Sequence, residues 1–270
     1  MTWHPTQVTR LITNDIPTST SPCFVDTDLG RGYVKMPNTS AGPQALVSEL
    51  VGTHLAEWFG LQVFENAVIQ VAESDIDPDS VDNQPVPAFI TREECGDPWE
   101  GDEIVLKSVA NAPHFSWIVV FDTWVGNIDR HCWIVRNDEK TEWRNERNVF
   151  LSNVAPPGKF TLKAYDHTHC HLSQIVASPQ VDLVSKIEDQ EVYGCFPEFQ
   201  PFLDRQEIQA AVRKLLDFDD ATARQVVGKV PEEWIVDATA RDRLIEFVMR
   251  RSNFVGDNIE STLFPQGELF

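Results

Sequence analysis

The sequence predicts an α+β protein built as two lobes, a small β-rich lobe over residues 1–95 and a larger, mainly helical lobe over residues 96–270. Two observations support this order. Alternating apolar residues, which are typical of strands, are concentrated before residue 92, and helical periodicity dominates after residue 113. A chain of 270 residues is long enough for one large domain or two lobes, and it contains no internal repeat.

The first lobe is predicted to contain five strands and one helix. Pro43 stands near the start of that helix and Gly60 closes it, so the helix is predicted over residues 43–59. A tight turn at Asp28–Arg31 joins the second and third strands. The predicted strands cover residues 6–13, 23–27, 32–36, 62–71 and 86–91.

The second lobe is predicted to follow a linker over residues 92–102. Residues 114–127 are apolar almost all round, which indicates a buried helix. A hairpin of strands 149–152 and 160–165 comes next. Amphipathic helices follow, for example over residues 206–217 and 239–252.

The charge balance restricts the class of partner. The chain has 22 Lys and Arg residues against 42 Asp and Glu residues, a formal net charge of −20. This balance argues against nucleic acids and anionic membrane surfaces as partners, because both attract basic proteins. The five cysteines form no CxxC pair, and neither a signal peptide nor a membrane-spanning run is visible. These features predict a cytoplasmic protein.

Four charged residues stand out by their context. Lys35 ends a strand, Glu49 lies among small residues inside the first helix, Asp129 follows the buried helix, and Asp166 ends an apolar strand. Phosphoryl transfer from a nucleotide needs a lysine for the phosphates and a carboxylate that fixes this lysine. It also needs a carboxylate for the attacking hydroxyl and one for Mg²⁺. Each residue alone is more often a surface residue, but their order along the chain is that of kinase-like folds.

The sequence around these residues resembles the HipA-like kinase family. The most specific match is the run from Phe121 to His131, FDTWVGNIDRH, whose Asp-Arg-His loop is shared with lipid kinases of the protein-kinase-like superfamily. Other matching segments extend over most of the chain. They are Tyr33-Val34-Lys35, Leu46–Leu50 with Phe59-Gly60-Leu61, Tyr165-Asp166-His167 and Val230–Trp234.

The resemblance implies a bilobal protein-kinase-like fold that binds ATP and Mg²⁺ between its lobes. It implies that Lys35 contacts the phosphates, that Glu49 orients Lys35 and that Asp129 activates the acceptor hydroxyl. Arg130 and His131 would support the catalytic loop or the transition state, and Asp166 would bind the metal. The implied reaction is transfer of the γ-phosphoryl group to a Ser or Thr hydroxyl of a protein.

One position departs from the family pattern. The family has a metal-binding Asn three residues after the His of the Asp-Arg-His loop, and this sequence has Ile134 there. Either the Asn is lost and the protein is a weak or inactive kinase, or residues 132–147 are an insertion and Asn148 takes the role. We favour Asn148, because it directly precedes a strand that pairs naturally with the strand ending at Asp166. The polar second half of the insertion is typical of a surface loop.

Two further sites are less specific. The resemblance places a phosphate loop at Thr18–Ser21, where the hydroxyl and backbone N–H groups of Ser19, Thr20 and Ser21 would hold phosphates; an ordinary Ser/Thr-rich turn is the alternative. The run His167-Thr168-His169-Cys170-His171 would place three histidines on one face if it were a strand. A zinc site there is the weaker interpretation, because ligands so close on one strand do not readily surround a metal.

The substrate and the regulation stay open at the level of sequence. An antitoxin-like or regulatory protein is a candidate partner. The alternatives to a protein kinase are a nucleotide-binding pseudokinase that acts as an interaction module and a kinase-fold enzyme that acts on a small molecule or transfers a nucleotidyl group. The net charge of −20 predicts a preference for a basic acceptor protein.

Overall fold

The computed structural model describes residues 3–265 except residues 15, 17, 19, 78, 137–138 and 236. Ten strands and eight α-helices are present in this part of the chain. The strands are β1 (Val8–Thr13), β2 (Cys23–Thr27), β3 (Gly30–Lys35), β4 (Asn66–Val71), β5 (Val86–Arg92), β6 (Gly96–Pro98), β7 (His131–Arg136), β8 (Glu139–Arg144), β9 (Val149–Ser152) and β10 (Thr161–Ala164). The helices are α1 (Pro43–Phe59), α2 (Glu103–Leu106), α3 (His114–Val125), α4 (His171–Ala177), α5 (Leu183–Ile187), α6 (Arg205–Leu216), α7 (Asp220–Val227) and α8 (Ala240–Leu263).

The first five strands form one antiparallel sheet in the order β1-β2-β3-β5-β4. The hairpin of β2 and β3 pairs Cys23 with Val34, and β3 continues the sheet by pairing Lys35 with Phe89 of β5. Val25, Val34 and Ile90 belong to an apolar cluster on this sheet. Because side chains alternate along a strand, the neighbour of buried Val34, Lys35, points to the other face.

The helix α1 lies between this sheet and the helices that follow. Its predicted bounds are confirmed, with Pro43 in the first turn and Gly60 in the left-handed conformation at its end. Leu50, Leu55 and Phe59 pack in the large core that also contains α3 and α8. A buried face on this helix therefore fixes the position of Glu49, which is itself buried.

The predicted linker over residues 92–102 is wrong for its central part. β6 pairs with β9, so that it completes a three-stranded sheet in the order β10-β9-β6, and Trp99 behind it is buried. This strand has three residues, one of them Gly and one Pro, so it carries no alternating pattern that sequence analysis detects. The chain leaves the first sheet at Arg92 and enters the second at Gly96; the division into lobes at residue 95 stays a prediction.

The insertion after the Asp-Arg-His loop is a hairpin rather than an irregular surface loop. β7 and β8 pair antiparallel from His131 opposite Arg144 to Arg136 opposite Glu139. The backbone N–H of Asn145 then donates to the carbonyl of Arg130 at 2.9 Å. The chain thus leaves the Asp-Arg-His loop at His131 and returns beside Arg130, so the hairpin projects from the loop without interrupting it.

Helices form most of the second half of the chain. α3 is buried along almost its whole length, and Trp124 on it donates to the carbonyl of Val248 on α8 at 2.8 Å. The predicted last helix ends at residue 252, whereas α8 continues to Leu263. Val255 and Ile259 extend the buried stripe of α8 at helical spacing. None of the helices in the described ranges is long and apolar enough to span a membrane.

Candidate active site

Lys35 lies at the end of β3, where its ammonium group contacts two carboxylates from distant parts of the chain. Nζ is 3.1 Å from Glu49 Oε2 on α1 and 3.0 Å from Asp166 Oδ1, two residues after β10. Thr168 Oγ1 is 2.7 Å from Glu49 Oε2 and 2.8 Å from Asp166 Oδ1, so its single proton is within reach of both. The side chain of Asp166 is 29% exposed and that of Glu49 only 4%, so Asp166 is the more solvent-accessible of the two carboxylates.

The electrostatics of this group follow from burial and from pairing. Burial alone would lower the pKa of Lys35, but Asp166 and Glu49 raise it above its usual value. Burial opposes ionisation of Asp166, yet Lys35 and the hydrogen bond from Thr168 hold the pKa of this carboxyl well below its usual range. Burial raises the pKa of Glu49. The group therefore keeps a charged Lys35 beside a charged Asp166.

The backbone at Asp166 is strained. Its φ is 56°, in the left-handed region that residues other than glycine rarely adopt. Asp166 adopts this conformation two residues after β10, and the hydrogen bonds of Lys35 and Thr168 hold its carboxylate in place. Such strain is concentrated at functional sites, where the surrounding structure imposes it.

Asp129 lies in the loop after α3 and accepts hydrogen bonds from two amides. Asn148 Nδ2 is 2.9 Å and Asn145 Nδ2 is 3.3 Å from Asp129 Oδ2. The residue predicted to replace the missing family Asn therefore lies beside the predicted catalytic Asp. Ile134, by contrast, lies within β7 opposite Thr141. Gly126 enables the turn into this loop, since its φ is 64° and a Cβ there would clash with the ring of His171.

Arg130 is fully buried and links the two halves of the site. Its Nε is 2.8 Å from Asp122 Oδ2, and its two terminal nitrogens donate to the carbonyls of Asn148 at 2.8 Å and Tyr165 at 2.9 Å. These carbonyls belong to the residues at the open end of the β9–β10 hairpin, where Val149 pairs with Ala164. One guanidinium thus positions both Asn148 and the residue before Asp166. Of the two roles predicted for Arg130, this arrangement favours support of the loop over support of the transition state.

His131 connects the Asp-Arg-His loop to the inserted hairpin. Its Nε2 lies 3.0 Å from Glu142 Oε1 on β8, and the ring packs against Phe196 and the edge of Trp133. Arg144 lies on the same face of the hairpin and pairs with Glu198 at 2.8 Å. The hairpin is therefore attached at its base on the side that carries His131.

The predicted phosphate loop at Thr18–Ser21 precedes β2, which pairs with the strand that carries Lys35. Ser19 lies outside the described residues. Thr20 is buried with its Oγ1 3.5 Å from Thr18 Oγ1, and Ser21 donates to the carbonyl of Thr18 at 3.2 Å. The described hydrogen bonds of Thr20 and Ser21 therefore stay within the turn, and a phosphate-binding role for this segment stays a prediction.

The three histidines of the run 167–171 do not share one strand face. The strand β10 ends at Ala164, before this run. His167 packs against Phe121 inside the core, and His171 begins α4 and lies 3.1 Å from Asp189 Oδ2. Within the described residues, no group of three or more His, Cys, Asp or Glu side chains is placed to hold a metal ion. The strand reading behind the zinc alternative is wrong.

Three residues of the site carry no strong signal in the sequence. Thr168 bridges Glu49 and Asp166, Asp122 pairs with Arg130, and Glu142 contacts His131. Asp122 has the clearest sequence signal, since a charged residue in an apolar helix needs a partner. Thr168 and Glu142 become visible only when distant segments are brought together.

His171 makes stability depend on pH. Burial lowers the pKa of His171, although Asp189 opposes this shift. When the pKa of a histidine is lower in the folded than in the unfolded state, its contribution to the free energy of unfolding is fully present above the unfolded pKa of about 6.5. This contribution is lost as pH falls below that value, by up to about 1.4 kcal/mol per pH unit. We expect the unfolding free energy of His171→Gln to fall less than that of the wild type between pH 7.5 and 5.5.

Chemical denaturation at several pH values checks this prediction. The exposed His4 supplies a control, and His4→Gln is expected to keep the wild-type dependence. The carboxyl of Asp189, whose pKa is lowered, acts only below about pH 4 and does not contribute in this range. Parallel curves for the wild type and His171→Gln would contradict the prediction.

A lysine held by a helix carboxylate and a strand-end carboxylate, with a further carboxylate beside an amide, is the site of a kinase-like protein. A family model described as HipA-like kinase matches residues 10–262, and the chain belongs to this family. The predicted family is confirmed.

The comparison with solved structures confirms the predicted fold class. The chain is similar to the crystal structure of the proinflammatory kinase CtkA of Helicobacter pylori, with a TM-score of 0.62 and 13% sequence identity, over 96% of each chain. This likeness shows a kinase-like fold with a small β-rich part followed by a helical part. No curated protein matches the sequence.

Proposed function

We propose that this chain transfers the γ-phosphoryl group of ATP to a Ser or Thr hydroxyl of a protein, with Mg²⁺. The observation that carries the proposal is the ion group of Lys35, Glu49 and Asp166, with Nζ–O distances of 3.1 and 3.0 Å. A buried lysine held charged by two carboxylates is a suitable ligand for nucleotide phosphates. On binding, the phosphates would share this ammonium with Glu49.

The donor set beside this lysine suits Mg²⁺. Asp166 Oδ1 is engaged by Lys35 and Thr168, whereas no described residue donates to Asp166 Oδ2 or to Asn148 Oδ1. Mg²⁺ prefers such oxygen ligands and is usually bound by one or two protein side chains together with substrate phosphates. We assign Asp166 and Asn148 as its protein ligands. When bound, the ion neutralises charge that develops on the transferred phosphoryl group.

The remaining residues position the acceptor. Asp129 would accept the proton of the attacking hydroxyl, and the amides of Asn148 and Asn145 hold its carboxylate in place. Arg130 and His131 contribute by fixing the loop, since both are buried. The net charge of −20 makes the local cation at Lys35 necessary for an anionic nucleotide and favours a basic acceptor protein.

Labelled nucleotide separates this proposal from its alternatives. We expect label from γ-labelled ATP to be transferred to protein when Mg²⁺ is present. Transfer from α-labelled ATP would indicate a nucleotidyltransferase, and transfer only to small molecules would indicate a different acceptor class. Thermal stabilisation by ATP without any transfer would indicate a pseudokinase. Each of these three results would contradict the proposal.

Asn148→Ala tests the metal role of this residue. Because the change removes one of two proposed ligands, we expect transfer to need at least ~10-fold more Mg²⁺. Asn153→Ala is the matched control, since Asn153 is exposed and lies five residues further along the chain. A titration of activity with Mg²⁺ measures the effect. Wild-type dependence in Asn148→Ala would return the metal role to another group.

A further inference from the structure

A cavity of about 540 Å³ opens directly beside Asp129. One wall is the inserted hairpin β7–β8, and the opposite wall includes His171 and Gln174 of α4, Lys186 of α5 and Tyr193. Asp129 itself lines the cavity. Whatever presents a hydroxyl to Asp129 is therefore placed to extend into this space.

The hairpin presents an apolar face to the cavity. Cys132 pairs with Trp143, and Ile134 lies two residues beyond Cys132, so the three side chains share one face of the hairpin. All three line the cavity together with Ile128. The indole of Trp143 is 46% exposed, which is unusual for so large an apolar group, and its Nε1 donates to the carbonyl of Asp129 at 3.3 Å. The hydrogen bond fixes this ring beside the predicted catalytic carboxylate.

Besides Asp129, the polar residues that line the cavity are His169, His171, Gln174, Lys186 and Tyr193, and Asp189 engages both His171 Nε2 and the Tyr193 hydroxyl. No described residue forms a hydrogen bond with the side-chain amide of Gln174 or an ion pair with the ammonium of Lys186. On the hairpin side, a polyol acceptor would leave its hydroxyls against indole and aliphatic groups, which is costly. A peptide segment fits better, since its apolar side chain would meet the hairpin face and its backbone would meet the amide of Gln174.

We propose that this cavity receives a large apolar side chain of the acceptor polypeptide, within two residues of the Ser or Thr that is phosphorylated. The hairpin face of Cys132, Ile134 and Trp143 is then the element that selects the acceptor sequence. Ile134, at the position where the family carries Asn, becomes a wall of the acceptor site. This inference rests on the proposed function, because it assigns the acceptor of the same reaction.

A mixture of peptides tests the selection without a known substrate. A dephosphorylated tryptic digest of a bacterial proteome is incubated with the full chain, ATP and Mg²⁺, and phosphorylated sites are identified by mass spectrometry. We expect large apolar residues to be enriched within two positions of the modified Ser or Thr. Sites without this enrichment would overturn the proposal. So would a digest without modified peptides, if the γ-phosphoryl group is still transferred to another acceptor.

Variants of the hairpin face then test its role on the best peptide and on a copy whose apolar neighbour is replaced by Gly. We expect the wild type to prefer the first peptide by about 10- to 100-fold in kcat/KM, the value of burying one large apolar side chain. Trp143→Ala should lose most of this preference. Trp143→Phe should retain part of it, although it lacks the hydrogen bond to Asp129, which separates acceptor binding from support of the loop.

A control and three failure outcomes complete the test. Ile104→Ala removes a 72% exposed apolar side chain outside the cavity and should keep the wild-type preference. Equal rates of the wild type on both peptides, or an unchanged preference in Trp143→Ala, would overturn the assignment of the cavity alone. Absence of γ-transfer to every acceptor would overturn the proposed function and this inference together.

Discussion

Changing Asp129 to Asn is expected to lower the rate of phosphoryl transfer by about 10²- to 10⁴-fold, the usual contribution of a general base. The side chain keeps its size but can no longer accept the proton of the acceptor hydroxyl. Binding of ATP should stay within a factor of about two of the wild type, because Lys35, Glu49 and Asp166 do not contact Asp129 through any described hydrogen bond. Single-turnover transfer from γ-labelled ATP measures the first effect and calorimetric titration the second.

Asp217→Asn is the matched control for this change. Asp217 is exposed at the end of α6, so the same chemical change there should leave transfer unaltered. Wild-type transfer by Asp129→Asn would remove this residue from the role of general base. A large loss of ATP binding in the same variant would instead give Asp129 a part in nucleotide binding.

Changing Arg130 to Met is expected to lower the free energy of unfolding by about 3–5 kcal/mol, the typical effect of removing one partner of a buried ion pair. The variant leaves the buried carboxylate of Asp122 without its cation and the carbonyls of Asn148 and Tyr165 without donors. Burial already raises the pKa of Asp122 to about 6, against the effect of Arg130, so loss of the guanidinium should favour its protonated form. Denaturant unfolding at pH 7.5 measures the loss.

A double-mutant cycle and a surface pair supply the controls. Asp122→Asn combined with Arg130→Met removes the uncompensated charge, so the double variant should be more stable than Arg130→Met alone. Arg224→Met breaks an exposed pair with Asp220 and should cost less than about 1 kcal/mol. Equal losses for Arg130→Met and Arg224→Met would show that Arg130 does not hold the loop.

The sequence was sufficient to predict the parts of the molecule that local patterns encode. Helix α1 has its predicted bounds because Pro43 and Gly60 mark its ends, and β2 and β9 also match. Lys35, Glu49 and Asp166 were chosen from separate segments, and the structure brings them within hydrogen-bond distance. The order of residues along the chain therefore carried more information than any single residue.

The remainder depended on contacts between distant segments. β6 contains Gly96 and Pro98, and only its pairing with β9 makes it a strand. The charges in the segment after His131 predict a surface loop, yet the segment pairs as β7 and β8 and is attached through Glu142. The zinc alternative needs a strand over residues 167–171, whereas β10 ends at Ala164 and Asp166 has a left-handed backbone. No local pattern encodes these three features.

We propose that the buried ion group binds ATP and Mg²⁺ for phosphoryl transfer. The decisive measurement is transfer from γ-labelled ATP by the wild type, Asp166→Asn and Lys35→Met. We expect Mg²⁺-dependent labelling of protein by the wild type. We also expect a loss of at least ~100-fold in each variant, since Lys35→Met removes the cation for the phosphates and Asp166→Asn removes the charge of a proposed Mg²⁺ ligand. Labelling by Asp166→Asn at the wild-type rate would contradict the assignment of this group as the site of phosphoryl transfer.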